Sequence, residues 1–284
     1  MTPQISPRTV IEALLPLTGV APLAIIYDTA NLAGLADQPV RLALRRLVAS
    51  GDIEQTGRGR AGTIGLTRTG RRRLERDRQG LALAFAQDAG DAPWDERWRL
   101  IAVTTPERER GVRDTLRRAL HELGAVAVST SLYVSPHDLV TELPDEVAPY
   151  LSIATTKDLN VRGTTGAQAI AEALWPGKPT VAAYSTLDDA LRQDAADTDV
   201  PNVVRRLLLA DALERAIRED PLLPLELRGT PWSPSNTRTA WAIRWRLLSE
   251  EGQSSLYRGW WPPSTRSSSA SDTPELPPEP VQQQ

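Results

Sequence analysis

Residues 37–67 constrain the fold most, because an amphipathic helix leads directly into a short hairpin. Over residues 37–50 the apolar side chains recur at the spacing of one helical face, with Asp37 as a suitable N-cap and Gly51 after the end. The predicted buried residues of this helix are Val40, Ala43, Leu44 and Leu47. Two short extended runs, residues 53–56 and 63–67, then flank a tip rich in glycine and arginine, which predicts a β-hairpin.

Two more helices are predicted before this segment. The first begins at Ser6, with Pro7 in its first turn, and the second covers residues 21–33 and ends at Gly34. Three helices followed by a hairpin are typical of a winged helix-turn-helix, in which the third helix enters the major groove of DNA while one face stays in the core. An ordinary three-helix bundle with a charged surface is the alternative that these elements leave open.

The charge of the chain is concentrated in the same region. Residues 41–78 contain eleven arginines and four acids, a net charge of +7 in a chain whose total is -3, so the remainder sums to -10. A basic block in an acidic chain favours a local contact with nucleic acid. For Arg71, Arg72 and Arg73 alone, a solvated helix face explains the charge equally well.

The third helix and the hairpin tip supply the candidate contacts with DNA. Arginine suits paired hydrogen bonds to guanine and glutamine suits adenine, whereas arginines on a tip suit phosphate or the minor groove. The predicted DNA-binding residues are Gln38, Arg41, Leu42, Arg45, Arg46, Arg58 and Arg60.

The rest of the chain predicts an α+β, multidomain protein with boundaries near residues 90, 165 and 262. Residues 1–90 form the winged helix-turn-helix. Residues 91–165 alternate strand-like and helical runs, which predicts a ferredoxin-like βαββαβ domain. Residues 166–262 are helical in pattern and suit an effector or dimerisation domain, and residues 263–284 lack the apolar side chains needed for order and are expected to be a disordered tail.

Composition excludes several kinds of site. The chain has no cysteine, so disulfides and cysteine-ligated metals are excluded, and its two histidines make a histidine-based metal centre improbable. We therefore expect no metal and no cofactor. We also find no secretion signal and no apolar run long enough for a membrane helix, and expect a soluble cytoplasmic protein.

Four segments of the chain resemble motifs of the PaaX family of bacterial repressors. Residues 39–53, PVRLALRRLVASGDI, follow one family motif closely, and residues 58–74 are similar to the family's wing. Residues 94–137 and 215–232 resemble the central signature and a later Asp-Pro motif. The departures are Ile64 or Gly65 at the wing tyrosine, Ala125-Val126 for Gly-Phe, and residues 210–213 for a His-x-Tyr-Arg run.

The resemblance implies a dimeric, ligand-responsive repressor that binds an inverted repeat in double-stranded DNA and is released by an aryl- or acyl-CoA effector. A ligand-independent regulator or an activator is the alternative. For the effector we consider arginines that could hold a CoA phosphate, although surface ion pairs explain them equally well. The tryptophans of the C-terminal third are interpreted as core residues, with an aromatic effector pocket or a dimer surface as the alternative: Trp175, Trp232, Trp241, Trp245, Trp260 and Trp261. The candidate effector-binding residues are Arg205, Arg206, Trp232 and Arg238.

An enzyme is the least favoured interpretation. The central domain of the family resembles a small CRISPR-associated endoribonuclease, in which an aspartate at the end of the first strand holds a metal. Here that strand ends at Thr104-Thr105, and neither residue is an adequate Mg²⁺ ligand alone, so we predict no metal-dependent nuclease. The adjacent His137 and Asp138 lack a nucleophile nearby, and no phosphate-binding loop is present, so we predict no catalytic residues.

Overall fold

The computed structural model describes residues 5–139, 142–143, 145–197, 199–251 and 256–257. The predicted disordered tail, residues 263–284, and two tryptophans of the C-terminal region, Trp260 and Trp261, lie outside the described residues.

The N-terminal unit is built in the order helix, strand, helix, helix, hairpin, helix. Its elements are α1 (Pro7–Leu14), β1 (Val20–Pro22), α2 (Leu23–Leu32), α3 (Asp37–Ala49), β2 (Ile53–Thr56), β3 (Thr63–Leu66) and α4 (Arg68–Ala89). The three strands form one antiparallel sheet in the order β1-β3-β2, with Ile53 opposite Leu66 and Thr56 opposite Thr63 in the hairpin. This order is typical of a winged helix.

Two details of this unit differ from the prediction. Residues 20–22 form a strand that pairs with β3, so α2 begins at Leu23 and the predicted start of the helix at residue 21 is wrong. The N-cap of α3 is Ala36, without a side-chain hydrogen bond, and Asp37 lies one position later, in the first turn. Its carboxylate therefore faces the positive end of the helix dipole without acting as the cap.

The central unit has a ferredoxin-like sheet. Its elements are β4 (Trp98–Val103), α5 (Arg110–Glu122), β5 (Val126–Ala127), β6 (Leu132–Ser135), β7 (Leu151–Thr156) and α6 (Ala167–Leu174). The sheet order is β5-β6-β4-β7 with every neighbouring pair antiparallel. The predicted βαββαβ order is wrong, because the second helix, α6, follows β7 instead of preceding it. Between β6 and β7 the described residues contain a 3₁₀ segment, Asp145–Tyr150, with a proline inside it, and no α-helix.

Both faces of the central sheet are covered. Along β4, Ile101 and Val103 pack in a cluster with Leu116 and Leu120 of α5. Trp98 points to the opposite face, into a second cluster that contains residues of α6. Helix α6 therefore packs on the central sheet, although the sequence pattern assigned residues 166–262 to the helical part. Because successive side chains of β4 point to opposite faces and are buried on both, the sheet lies between the two helices.

The C-terminal helices share a core with the N-terminal unit. These helices are α7 (Gly177–Ala196), α8 (Asn202–Arg218) and α9 (Ser233–Glu251). One cluster of buried side chains runs from α1, α2 and α3 through the hairpin into α7, α8 and α9. Trp241 and Trp245 lie in it at 1% and 2% exposure, so the interpretation of these tryptophans as core residues is confirmed. In the described part of the chain, no helix combines the length and apolarity needed to span a bilayer.

Candidate nucleic-acid interface and interdomain cavity

Helix α3 separates an apolar side from a polar side as predicted. Val40, Leu44 and Leu47 are between 0% and 5% exposed and hold the helix in the shared core. The predicted contact residues on α3 are all exposed: Gln38, Arg41, Leu42, Arg45 and Arg46. Leu42 is 48% exposed, and a buried aliphatic side chain normally contributes about 1.5–3 kcal/mol, so its exposure leaves apolar surface for a partner.

The hairpin tip lies beside this polar side. A cleft of about 290 Å³ separates the tip from α3, and four of the predicted arginines line it together: Arg41, Arg45, Arg58 and Arg60. Like charges at close range repel, so this arrangement favours an anion that shares them. The structure thus brings the third helix and the wing together on one exposed surface.

Two glycines give the tip its shape. Gly57 has a φ of +78°, a conformation that residues with a Cβ rarely adopt, and a Cβ there would lie 3.1 Å from the Cα of Gly62. At Gly62 a Cβ would lie 3.0 Å from the Thr56 carbonyl oxygen. The backbone crosses itself closely at the base of the tip, and this crossing aims Arg58 and Arg60 toward α3.

Arg60 already has acidic partners in the structure. Its guanidinium donates to Asp28 on α2, and Nη2 lies 3.8 Å from Oδ1 of Asp37 at the start of α3. The same guanidinium lies 5.6 Å from the ring centroid of Tyr27. These contacts hold the hairpin tip against α2 and the start of α3.

The four candidate effector-binding residues do not form one site. Arg205 donates from Nε to Asp194 at 2.7 Å, and Arg206 stacks over the Trp245 ring at 4.6 Å. Both are below 10% exposed, as is Arg238, which pairs with acids in the core. Trp232 instead lies under the guanidinium of Arg228, at 4.6 Å. The exposed positive charge that this prediction required is absent at these arginines, because each is buried against a partner.

A large cavity lies elsewhere, where the three units meet. Its volume is about 1270 Å³, and α1, α4, α8, the loop after α5, and Trp175 contribute to its walls. The apolar lining includes Leu81, Leu123, Leu139, Leu213 and Leu222. Arginines that are exposed to solvent surround the cavity: Arg8, Arg76, Arg78, Arg215 and Arg218.

One wall of the cavity is acidic. This acidic wall consists of Glu12 on α1 with Asp211 and Glu214 on α8. Burial, together with the negative charges of Glu12 and Asp211, raises the pKa of the Glu214 carboxyl to about 8. Sequence patterns missed this wall, because its members are distant in the chain and each is ordinary on an amphipathic helix.

Comparison with known proteins identifies the central unit. Residues 91–168 match the family model described as the PaaX protein central Cas2-like domain. The resemblance to the PaaX family is confirmed over this central unit. The uncharacterized protein Rv0674 from Mycobacterium tuberculosis has a similar fold, with a TM-score of 0.54 and 20% identity over 87% of this chain and 97% of that chain. A search of curated proteins found no match.

In this PaaX-like chain, one carbonyl oxygen joins the three units. The backbone oxygen of Leu222, after α8, accepts from Gln87 Nε2 on α4 at 2.8 Å. It also lies 2.9 Å from Nε2 of His137, which follows β6. Burial lowers the pKa of His137, so the neutral ring donates this hydrogen bond from Nε2 at neutral pH.

The PaaX resemblance includes the segments that end at His137 and contain Asp220-Pro221, but it did not predict that His137 contacts Leu222. The backbone N–H of His137 donates a hydrogen bond to Ser135 Oγ at 3.0 Å, at the end of β6. Its ring contact with Leu222 spans 85 positions of the chain and left no periodic signal. Among the described residues, no group of three or more histidines and acids is placed to hold a metal ion.

Proposed function

We propose that this PaaX-like chain is a transcriptional regulator that binds double-stranded DNA through α3 and the hairpin tip. PaaX-family proteins are transcription regulators. The observation that supports the proposal most directly is the cleft that gathers Arg41, Arg45, Arg58 and Arg60 beside an exposed helix face. A helix of thirteen residues fits the major groove, and arginines at its N-terminal half reach base edges there.

In the proposed complex, α3 reads the bases and the tip holds the backbone. Gln38, Arg41 and Arg45 contact base edges, whereas Arg58 and Arg60 contact phosphate or the minor groove. A homodimer places two α3 helices about 34–36 Å apart, in successive major grooves of an inverted repeat. Bound at a promoter, such a dimer represses by occupying the site that the polymerase needs.

We place the effector in the interdomain cavity and not at the four residues first considered. The cavity is bounded by α4, which follows the wing directly, and by α8, which packs on α1 and α2. A ligand that favours a different separation of α4 and α8 would change the spacing of the two α3 helices in the dimer. The surrounding arginines suit the phosphates of an acyl-CoA, the effector that the resemblance implies.

The experiment that tests the proposal uses the double variant Arg41→Ala with Arg45→Ala. A preferred duplex is first selected from random DNA with the full chain, and affinities are then measured at fixed salt by fluorescence anisotropy. Each paired contact to a base is worth about 1–3 kcal/mol, so the double variant should bind the selected duplex about a hundredfold or more weaker.

A matched control removes two exposed arginines from other helices, Arg192 on α7 and Arg246 on α9. This control variant should keep nearly all of the affinity, because the overall charge falls equally but α3 is intact. Unchanged affinity in the Arg41/Arg45 variant, with circular dichroism showing a native fold, contradicts the proposed interface. Binding that phenylacetyl-CoA does not alter leaves the DNA proposal standing and favours a ligand-independent regulator or another effector.

A further inference from the structure

The three carboxyl groups of the acidic wall differ in whether an arginine neutralises them. The Glu12 carboxylate accepts from Arg8 Nε at 2.7 Å and from Arg73 Nη2 at 2.6 Å. The Asp211 carboxylate accepts from Arg215, from the backbone N–H of Ser6 at 3.0 Å and from the Thr9 hydroxyl at 2.6 Å. Both carboxylates are therefore neutralised within the protein.

Glu214 lacks such a cation. Within the described part of the chain no ion pair includes it, and its polar contacts are the Thr9 hydroxyl at 3.4 Å and the Tyr257 hydroxyl at 3.5 Å. Thr9 has one hydroxyl proton, which the much shorter contact to Asp211 takes, so Thr9 offers little to an ionised Glu214. The carboxyl group of Glu214 thus lines a large cavity with acceptor capacity that the protein does not fill.

The apolar walls define the rest of the ligand. Leu213 is 0% exposed, Leu81 is 3% exposed, and Trp175 is 6% exposed, and all three line the same cavity. Small-molecule sites typically combine such walls with one or two polar anchors in a volume of about 300–1,000 Å³, and the cavity is large enough for a ligand of that class. Surface Arg218, one helical turn from Glu214 on α8, lies at the solvent side of the wall.

We propose that the inner end of the cavity binds the cationic group of an organic ligand, an amine or amidinium hydrogen-bonded to Glu214, with the ligand's apolar body against the leucines and Trp175. The inference rests on the effector cavity of the proposed function and assigns the chemistry of its inner end. An ionised Glu214 repels an anionic inner end of the ligand, whereas a cation there supplies the charge that Glu214 lacks.

Proton linkage makes this proposal testable. The charged groups that surround Glu214 are Glu12 and Arg8 on α1, Arg73 and Asp77 on α4, and Asp211, Arg215 and Arg218 on α8, with Tyr257 opposite. Because the Glu214 carboxyl has a pKa of about 8 in the free protein, it is mostly protonated at pH 7. A bound cation favours the ionised form, so binding at pH 7 should release close to one proton, and affinity should rise from pH 6 to pH 8.

The probe is benzylamine, compared with benzoate, which has nearly the same shape and the opposite charge. Titration calorimetry of the full chain without DNA, repeated in phosphate and Tris buffers at pH 7, measures both affinity and proton release. We expect benzylamine to bind about tenfold or more tightly than benzoate, with proton release.

Two variants complete the test. Glu214→Gln retains the shape and polarity of the protonated side chain, so it should fold, lose about tenfold or more in benzylamine affinity and release no proton. Glu250→Gln, which changes an exposed glutamate of α9 outside the described cavity lining, should behave as the wild-type chain. Equal or tighter binding of benzoate, binding of neither compound, or full benzylamine affinity in folded Glu214→Gln each overturns the proposal. None of these outcomes depends on DNA, so the proposed DNA interface succeeds or fails separately.

Discussion

The Arg238 guanidinium on α9 donates to both carboxylate oxygens of Asp88 on α4, with Nε–Oδ2 and Nη2–Oδ1 distances of 2.6 Å. Nη1 of the same guanidinium reaches Asp220 Oδ2 at 3.1 Å and the Tyr184 hydroxyl at 2.7 Å. This paired contact joins the long helix that follows the wing to the last described helix. Because this ion pair is buried and packed on all sides, it restrains the position of α4.

Loss of one partner of this pair should destabilise the whole chain. The side chains of Arg238 and Asp88 are 1% and 8% exposed, and breaking a buried pair costs about 3–5 kcal/mol when a charge is left unpaired. Because Asp220 still pairs with Arg238, Asp88→Asn should lower the free energy of unfolding by up to about 3 kcal/mol, measured by urea denaturation. Asp189→Asn, in an exposed pair with Arg192, should change it by less than about 1 kcal/mol. Equal effects of the two substitutions contradict a structural role for the Arg238–Asp88 pair.

Removal of the acids that hold the wing arginine should strengthen DNA binding. Asp28 and Asp37 are both exposed partners of Arg60, so their removal costs little stability and frees the guanidinium for phosphate. The double variant Asp28→Asn with Asp37→Asn should bind duplex DNA roughly threefold or more tightly and show a steeper dependence of affinity on salt. In an Arg60→Ala background the gain should shrink, and a gain of the same size there excludes the contact with Arg60 as its source.

Gly70 should not tolerate a side chain. A Cβ there would lie 1.9 Å from the carbonyl oxygen of Asp52, because the first turn of α4 crosses the start of β2 closely. Gly70→Ala must move backbone atoms and should cost at least about 1–3 kcal/mol of stability. Gly111→Ala offers a matched comparison in α5, since its Cβ would meet nothing within 4 Å, and should stabilise by about 0.5–1 kcal/mol. Thermal unfolding of the two variants checks both signs.

The raised pKa of Glu214 should appear in the pH dependence of stability. Its ordinary value is 4.5 and its value in the folded chain is about 8, so between these pH values the folded state binds more protons than the unfolded state. This group therefore lowers the free energy of unfolding as pH rises, by at most about 1.4 kcal/mol per pH unit, and contributes no further change above pH 8. Burial lowers the pKa of His137, which gives the opposite slope below its ordinary 6.5.

Comparison with Glu214→Gln isolates that contribution, because the other titrating groups are common to both chains. The stability advantage of the variant over the wild-type chain should grow from pH 5 to pH 8 in urea denaturation. A constant difference across this range contradicts a raised pKa at Glu214.

Local patterns predicted most of the N-terminal unit. The stripe of Val40, Leu44 and Leu47 and the glycine-rich tip identified α3 and the hairpin, since both depend on neighbours in sequence. Strand β1 was missed because three residues are too few for a periodic signal, and its identity depends on pairing with β3. The βαββαβ order of the central unit was mispredicted because the order of strands in a sheet depends on tertiary pairing, and α6 follows β7.

Charge alone did not predict which arginines are exposed. Arginine is a residue type that binds phosphate, but three of the candidates are buried against partners that are distant in the chain or one helix away: Arg205, Arg206 and Arg238. Glu214 had no distinguishing pattern in the sequence. Only the approach of α1, α4 and α8 places it at a cavity beside two other carboxylates.

By itself, the sequence determined the amphipathic faces, the basic block from Arg41 to Arg78 and the motifs of the PaaX resemblance, because these properties repeat over a few residues. The tertiary structure decided which charges are neutralised. It buried Arg238 on Asp88, brought the wing arginines beside α3 and left Glu214 without a cation at the cavity. An ion pair depends on two groups being within about 4 Å, and no local pattern states which distant residues the core will bring that close.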